Sequence, residues 1–188
     1  MVCSRIQNPT IPIGFIEFWQ ALWFASCHDR CVHVSAKVEY AVRACIVLAR
    51  LPPGTAMSAE AIAFRAELPG KFLETILTEL RVDRILATQR GPSGGCRLAR
   101  SAAQISVADI FRAIEGPLAD VRGEPPESMH YADDDVAVGG RVLTELWVAG
   151  RMAIRSVFET TTLADLAAGR LPDSVRAYVD LPGAWDSR

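Results

Sequence analysis

The sequence lacks a hydrophobic run long enough to cross a membrane. Its candidate stretch, residues 15–25, is interrupted by Glu17 and Gln20 and is shorter than the roughly 20 residues that a membrane-spanning helix needs. No basic cluster precedes it and no clear cleavage site follows it, which argues against a secretory signal peptide. The odd number of cysteines, 5, then argues against a disulfide framework and favours the cytosol.

The common catalytic motifs are also missing, since the chain contains neither GxxxxGK[ST] nor HExxH. Residues 91–95 match the nucleophile elbow G-x-S-x-G, and Asp109 and His130 follow in the order of a hydrolase triad. An elbow needs a strand before it and a helix after it, whereas RGPSGGCRL reads as strand, turn and strand. A turn that needs positive φ explains the glycines, so no enzymatic activity is expected.

Residues 1–31 have few charges and no recognisable helix-capping pattern, although they are rich in aromatic side chains. Strong periodic patterning begins only at Ser35. The segment is either an amphipathic arm that packs on the body or upstream sequence, read as protein because the start codon is placed too early. We favour the second interpretation, with Val32 as the true start.

Metal-binding residue types cluster at Cys27, His28, Cys31 and His33. This CxxxC pair with nearby histidines has no second ligand pair, and three of the four residues lie in the doubtful extension. We therefore assign no metal site to them.

A strong positive charge is absent as well, because the formal net charge is −2. The distribution is nevertheless uneven. Residues 32–100 contain ten Lys or Arg against six Asp or Glu, whereas residues 101–188 contain eight against fourteen. This division favours a DNA-facing module joined to a second surface that does not contact DNA; chance sorting of surface charge is the simpler alternative.

Three helices are predicted between residues 35 and 82. The first has an exposed i, i+4 pair, Glu39 and Arg43, and it ends at the Pro-Pro-Gly that follows residue 51. Ser58 is expected to cap a short second helix that ends near Ala66, and Pro69 suits the first turn of the third. The buried stripe of the first helix is predicted to consist of Val38, Ala41, Val42, Cys45, Leu48 and Ala49.

The third helix has two faces. Its apolar face is predicted to hold Phe72, Leu73, Ile76, Leu77 and Leu80. Its opposite face carries polar side chains suited to reading base-pair edges: Lys71, Glu74, Thr75 and Thr78. The following segment, ILATQRGPSGGCRLAR, reads as a β-hairpin with arginines on both sides of a glycine-rich turn. Three helices and a hairpin predict a mainly α fold with a β wing, a winged helix-turn-helix.

The C-terminal half is predicted to contain two capped helices and one long helix. Ser106 and Asp109 form a near capping box, and Thr162 with Asp165 starts a further short helix. Between them, a helix over about residues 140–160 is too apolar to stand alone in water, so pairing with a second copy is the economical expectation. Its apolar side chains are Leu143, Leu146, Trp147, Ile154, Val157 and Phe158.

The chain therefore divides into an N-terminal extension, a winged helix-turn-helix domain, a loop, a dimerisation helix with a short following helix, and a tail. Their predicted bounds are 1–31, 32–117, 118–138, 139–169 and 170–188.

Several motifs, in this order, resemble the IscR/NsrR/CymR-type (Rrf-two) family of bacterial transcription regulators. They are SAKVEYAVRACIVLA, KFLETILTELRVDRIL, RGPSGGCRLAR, ISVADIFRAIEGPL and TLADLAA, and they cover residues 32–169. The resemblance implies a homodimer that binds a promoter palindrome and usually represses. It also implies that Lys71, Glu74 and Thr75 recognise bases and that Arg90 belongs to the wing.

The best-known family members hold an iron–sulfur cluster with three cysteines of the loop before the long helix. Here residues 118–138 contain no cysteine; His130 and carboxylates are poor substitutes for thiolates. Glu39 matches an acidic ligand of some relatives, but without thiolates it is expected to be surface charge. No cofactor is therefore expected.

On DNA, Lys71, Glu74 and Thr75 are expected to enter the major groove, where Glu74 accepts from a cytosine amino group. Arg90 and Arg97 are expected to contact the minor groove or phosphates. Two further interpretations stay open: a winged-helix protein-interaction module without DNA binding, and a cluster-binding redox sensor with atypical ligands.

The wing cysteine, Cys96, also has two interpretations. It is either a small residue packed under the sheet or a thiol that alters the wing when oxidised, which would require exposure and a lowered pKa.

Overall fold

A computed structural model describes residues 34–91, 94–128 and 139–186. It contains seven α-helices and one two-stranded antiparallel sheet in this part of the chain. The helices are α1 (Ala36–Ala49), α2 (Ala59–Ala66), α3 (Gly70–Val82), α4 (Val107–Glu115), α5 (Gly140–Phe158), α6 (Leu163–Ala167) and α7 (Asp173–Val179). The strands β1 (Leu86–Gln89) and β2 (Gly95–Leu98) lie between α3 and α4. The predicted fold class is confirmed.

Helix α1 lies at the centre of the core and contacts α2, α3, α4, α6 and β2. Its fully buried stripe partly differs from the predicted one, because Ala44 is buried whereas Val42 and Ala49 are only partly buried. A helix surrounded on several sides buries small residues beyond a single stripe. The predicted surface pair is present, with Glu39 Oε1 and Arg43 Nη1 3.5 Å apart, and Arg43 also donates to the carbonyl of Ala66 at the end of α2.

The bounds of α2 are as predicted, whereas Pro69 is the extended N-cap residue of α3 rather than part of its first turn. Ser58 caps α2 by accepting from the amide of Ala61 at 3.3 Å. The turn between α2 and α3 passes through Glu67, which has a left-handed φ of 54°, and returns the chain inward at the buried Leu68.

One residue of the predicted core of α3 was placed wrongly. Leu73, Ile76, Leu77 and Leu80 are buried, but Phe72 is 67% exposed. Phe72 is in the first turn of α3, where the helix has only just met α1 and α2, so its ring extends beyond the edge of the core.

The hairpin is attached to the helix-turn-helix by its backbone. In the hairpin, Leu86 is paired with Leu98 and Gln89 with Gly95. Met57, which precedes α2, forms a further antiparallel bridge to Cys96, with N–O distances of 2.9 Å and 2.8 Å. Gly95 makes this approach possible, because a Cβ there would lie 2.2 Å from the Met57 carbonyl oxygen.

The starts of α4 and α6 are joined to each other. Both helices have complete capping boxes, Ser106 with Asp109 and Thr162 with Asp165, as predicted. The adjoining backbones form a bridge, in which the amide of Leu163 donates to the carbonyl of Ile105 at 2.9 Å and that of Val107 to the carbonyl of Thr161 at 2.9 Å. This bridge attaches the segment after the C-terminal end of α5 to the main core.

Helix α5 has no fully buried residue. At its C-terminal end, the ring of Phe158 lies 5.9 Å from that of Phe111, and Glu159 binds Arg112. The predicted apolar residues of α5 do not all lie on one side of the helix. Most of them are half-buried, whereas Leu146 is 57% exposed and lies on a different side. The predicted tail, residues 170–188, contains the helix α7, which buries Val175.

Some predictions concern residues that lie outside the described ones. These are the N-terminal extension with Cys27, His28, Cys31 and His33, the turn residue Ser93, and His130 of the loop. Within the described residues, no helix is long and apolar enough to cross a membrane.

The Gly95→Ala variant is expected to be destabilised by at least about 2 kcal/mol. The added Cβ would clash with the backbone of Met57, and Gly95 has a φ of +147° that other residues rarely adopt. Urea unfolding followed by circular dichroism measures this change.

The matched control is Gly70→Ala, because a Cβ at Gly70 meets nothing within 4 Å. The control should stay within about 1 kcal/mol of the parent. Equal unfolding midpoints for Gly95→Ala and the parent would show that the approach of Met57 to β2 is not as close as described.

Candidate nucleic-acid interface

The exposed side chains at the start of α3 are the ones predicted to read bases. Lys71, Glu74 and Thr75 are all exposed. None of their side chains makes a hydrogen bond or an ion pair with the rest of the described protein. Pro69 precedes the helix without a side-chain cap, and the amide of Phe72 already donates to the Pro69 carbonyl at 3.2 Å. The amides of Gly70 and Lys71 therefore keep their donor capacity at the positive end of the helix dipole. The geometry therefore leaves this end of α3 available for an anionic, hydrogen-bonding partner.

The fourth polar residue of that face has a structural role. Thr78 Oγ1 donates to the carbonyl of Glu74 at 2.8 Å and accepts from Arg81 Nη2 at 2.7 Å. Arg81 also reaches Thr88 of β1 at 3.4 Å and the carbonyl of Leu77 at 3.1 Å. Arg81 thus ties α3 to the wing, a role that the sequence analysis missed because the contact depends on how the hairpin folds back.

A second residue that was missed is Phe72, the exposed ring beside Lys71 on α3. An apolar side chain in this position can contact the methyl group of thymine in a major groove. The sequence offered a signal, since an aromatic residue in the first turn of a short helix has little core to enter.

The two wing arginines lie in different surroundings. Arg90 is exposed and directly follows β1, at the start of the turn. Arg97 is half-buried on β2; its Nη1 donates to the carbonyl of Leu98 at 3.2 Å, and the residue lines a cavity against the loop that contains Pro52 and Pro53. Arg90 is therefore the better placed of the two for a partner beside α3.

An ion pair with α1 also contacts α3. Lys37 Nζ of α1 lies 2.8 Å from the carboxylate of Glu79, and both side chains are partly shielded from solvent. Such a partly exposed pair contributes little stability by itself. It adds a contact with α1 to the contact that Arg81 makes between α3 and the wing.

Both described cysteines have the surroundings of structural thiols. Burial raises the pKa of the Cys45 thiol to about 12. Burial also raises the pKa of the Cys96 thiol, and the nearby Arg81 opposes this only in part. Because a raised pKa keeps a thiol protonated, neither group is activated as a nucleophile.

The comparisons with known proteins agree with this geometry. Residues 34–169 match the family model Rrf2, which is described as iron-dependent transcriptional regulators. The chain belongs to the Rrf2 family. The family resemblance found in the sequence is confirmed, and family members are transcription regulators rather than enzymes.

Three Rrf2 relatives illustrate the extent of the match. The helix-turn-helix-type transcriptional regulator Rv1287 of Mycobacterium tuberculosis is 44% identical over 149 residues, which cover 79% of this chain and 89% of the relative. The solved structure of CymR, the global cysteine regulator of B. subtilis, is 30% identical with a TM-score of 0.58, and the match covers 73% of this chain and 97% of CymR. The structure of T. potens IscR is 29% identical with a TM-score of 0.57, covering 77% and 90%.

For this Rrf2 regulator, the description "iron-dependent" raises the question of a metal site. Within the described residues, no group of three or more His, Cys, Asp or Glu could hold a metal ion. Cys45 and Cys96 are buried in the core, Glu39 binds Arg43, and residues 118–138 contain no cysteine. This donor set does not fit a cluster held by thiolates of the loop.

Proposed function

We propose that this Rrf2 regulator acts as a homodimeric repressor that binds a palindromic promoter site. DNA binding and transcription regulation come with the family. The observation that carries the homodimer is the exposed stripe on α5, defined by Val142, Leu146, Ala149 and Ala153, all four of which are exposed.

The stripe has the spacing of a helix–helix contact. Its four residues recur at intervals of four, three and four, which places them on one line along the helix. Val142 is 66% and Leu146 57% exposed, while the small Ala149 and Ala153 allow two helices to approach closely. Because the half-buried face of α5 is on the other side, the stripe is free to pair with the same stripe of a second copy.

In this arrangement, the end of α3 enters the major groove. Lys71 and Thr75 donate to base edges or phosphates, and Glu74 accepts from a cytosine amino group. Arg90 reaches the minor groove or the backbone beside it, whereas Arg97, which is half-buried, contributes charge near the phosphates. Two copies related by α5 would read two half-sites about one helical turn apart, and a promoter occupied in this way is closed to transcription.

We also infer that the regulator works without an iron–sulfur cluster. A cluster of the family's kind would require thiolates in the loop before α5, where this chain has none. The regulator then responds to a signal other than the state of an iron–sulfur cluster.

Glu74→Ala and Arg90→Ala are expected to weaken DNA binding in different ways. Loss of Glu74 should cost about 1–3 kcal/mol and relax the preference at one base pair, because a base contact is removed. Loss of Arg90 should weaken binding to all sequences and reduce the salt slope by about one, because a phosphate contact is removed. Gel shifts at several salt concentrations measure both, on duplexes that the parent protein selects from a random library.

The control for both is Arg176→Ala, which removes an exposed charge from α7. The selected duplexes should contain an inverted repeat. Selection of a single unpaired motif would contradict the palindrome, and an Arg90→Ala variant as tight as the parent would contradict the wing assignment.

Leu146→Glu is expected to convert the protein from dimer to monomer, because it places one carboxylate of each copy in an apolar contact. Light scattering after size exclusion gives the mass. Tyr178→Glu on α7, where Tyr178 is 53% exposed, introduces the same charge away from the stripe and should leave the mass unchanged. A parent protein that is already monomeric, or a dimeric Leu146→Glu variant, would count against pairing through α5.

Protein purified anaerobically and supplied with iron and sulfide is expected to lack thiolate-to-iron absorption bands. A parallel sample of Cys27→Ser/Cys31→Ser identifies any iron held by the N-terminal extension. Bands in the parent sample would overturn the inference that no cluster is bound, and their loss in the variant would assign the ligands to the N-terminal extension.

A further inference from the structure

A second candidate site lies away from the DNA interface, between the loop after α4 and the long helix α5. The loop residues from Pro117 to Pro125 and the side chain of Glu127 form one wall of a cavity of about 270 Å³. Arg151 and Arg155 of α5 form the other, together with Arg112 of α4. This volume is at the lower limit of small-molecule sites, so it excludes nucleotides and large cofactors.

Two of the three arginines share a single carboxylate oxygen. Arg155 Nε donates to Oε1 of Glu159 at 2.9 Å, and Arg112 Nη2 contacts the same atom. The pKa of Glu159 is lowered by these two hydrogen bonds, so Glu159 is ionised at neutral pH. Several N–H donors of the pair have no acceptor among the described residues, and the charge of Arg155 also acts on the carboxylate of Glu127 across the cavity.

The third arginine has a buried donor without an acceptor. Arg151 Nη1 lies 2.6 Å from Glu127 Oε2, and the Arg151 side chain is only 19% exposed. Its Nε is fully shielded from solvent and has no hydrogen-bond partner among the described residues.

The remaining lining defines the ligand further. Asp120 also lines the cavity, but its Oδ1 already accepts from the amide of Gly123 at 2.8 Å. Pro117, Leu118 and Ala119 add apolar surface. An acceptor that uses the planar fork of an arginine and tolerates apolar walls is a carboxylate on a short carbon chain.

We propose that this cavity binds a small organic carboxylate, whose oxygens accept hydrogen bonds from the guanidinium groups of Arg112, Arg151 and Arg155 that line it. The site is built from α4, which belongs to the DNA-binding half, and from α5, which carries the exposed stripe. A ligand there contacts both halves at once and is suited to be the signal of a regulator without a cluster. Binding itself does not depend on DNA, so it can be tested independently of the proposed function.

The test is calorimetric titration of the full chain without DNA. The probes are short-chain fatty acids, 2-oxo acids, dicarboxylates and α-amino acids, with the matching amides and sodium sulfate as comparisons. At least one carboxylate should bind while its amide does not. The best probe shows which class of carboxylate the cavity binds. The amino acid and the 2-oxo acid are distinguished because only the amino acid also offers an ammonium group to Asp120 or Glu127.

The Arg151→Lys variant should bind that carboxylate at least about tenfold more weakly, because lysine keeps the charge but loses the planar guanidinium fork. Arg141→Lys is the matched control, since Arg141 lies on the same helix with a side chain that is 84% exposed. Ala119→Phe fills the cavity without changing charge and should abolish binding. Melting curves of the unliganded variants separate loss of binding from loss of folding.

Three outcomes would overturn the proposal. The first is that no carboxylate gives heat on titration. The second is that sulfate binds as strongly as the best carboxylate, which indicates an adventitious ion only. The third is that Arg151→Lys and Arg141→Lys bind the carboxylate with equal affinity.

Discussion

The backbone bridge between Met57 and Cys96 is the constraint on which the DNA-reading geometry depends. A two-stranded hairpin by itself is only marginally stable in water, and here it gains a third backbone contact from the segment that starts α2. The wing and the helix-turn-helix therefore move as one body, and Arg81 adds a side-chain link from α3 to β1. Because the bridge uses no side chain, it imposes its main requirement on Gly95, where any Cβ would meet the backbone of Met57.

Features that depend on local sequence could be predicted, and features that depend on packing could not. Ser58, Ser106 and Thr162 cap the helices that they were expected to cap, because a cap involves only a few consecutive residues. By contrast, the exposure of Phe72 depends on where α1 and α2 end relative to α3. The partial burial of Arg97 depends on a loop that precedes it by more than forty residues in the sequence. The arginine cavity was invisible in the sequence, since Arg112 and Arg151 come together only after the chain has turned back.

The molecule combines a rigid reader with a long helix that is held mainly at one end. The C-terminal end of α5 is fixed by Phe158 and Glu159 and by the bridge between Ile105 and Leu163, whereas its N-terminal half exposes apolar side chains. The cavity with Arg151 lies between these two regions of the helix. The guanidinium groups that line it belong to α4 and α5, so this cavity joins the helix that follows the wing to the middle of the long helix.

The bridge between Ile105 and Leu163 also has a consequence for the order of folding. The contacts among α1, α2, α3 and the hairpin connect segments that are close in sequence, whereas this bridge closes the whole of residues 105–163. Closing a long segment carries an entropy cost that local contacts avoid. The DNA-reading core is therefore expected to be in place before α6 completes it, and a chain emerging from the ribosome would present its reader before α5, with its exposed apolar stripe, has been synthesised.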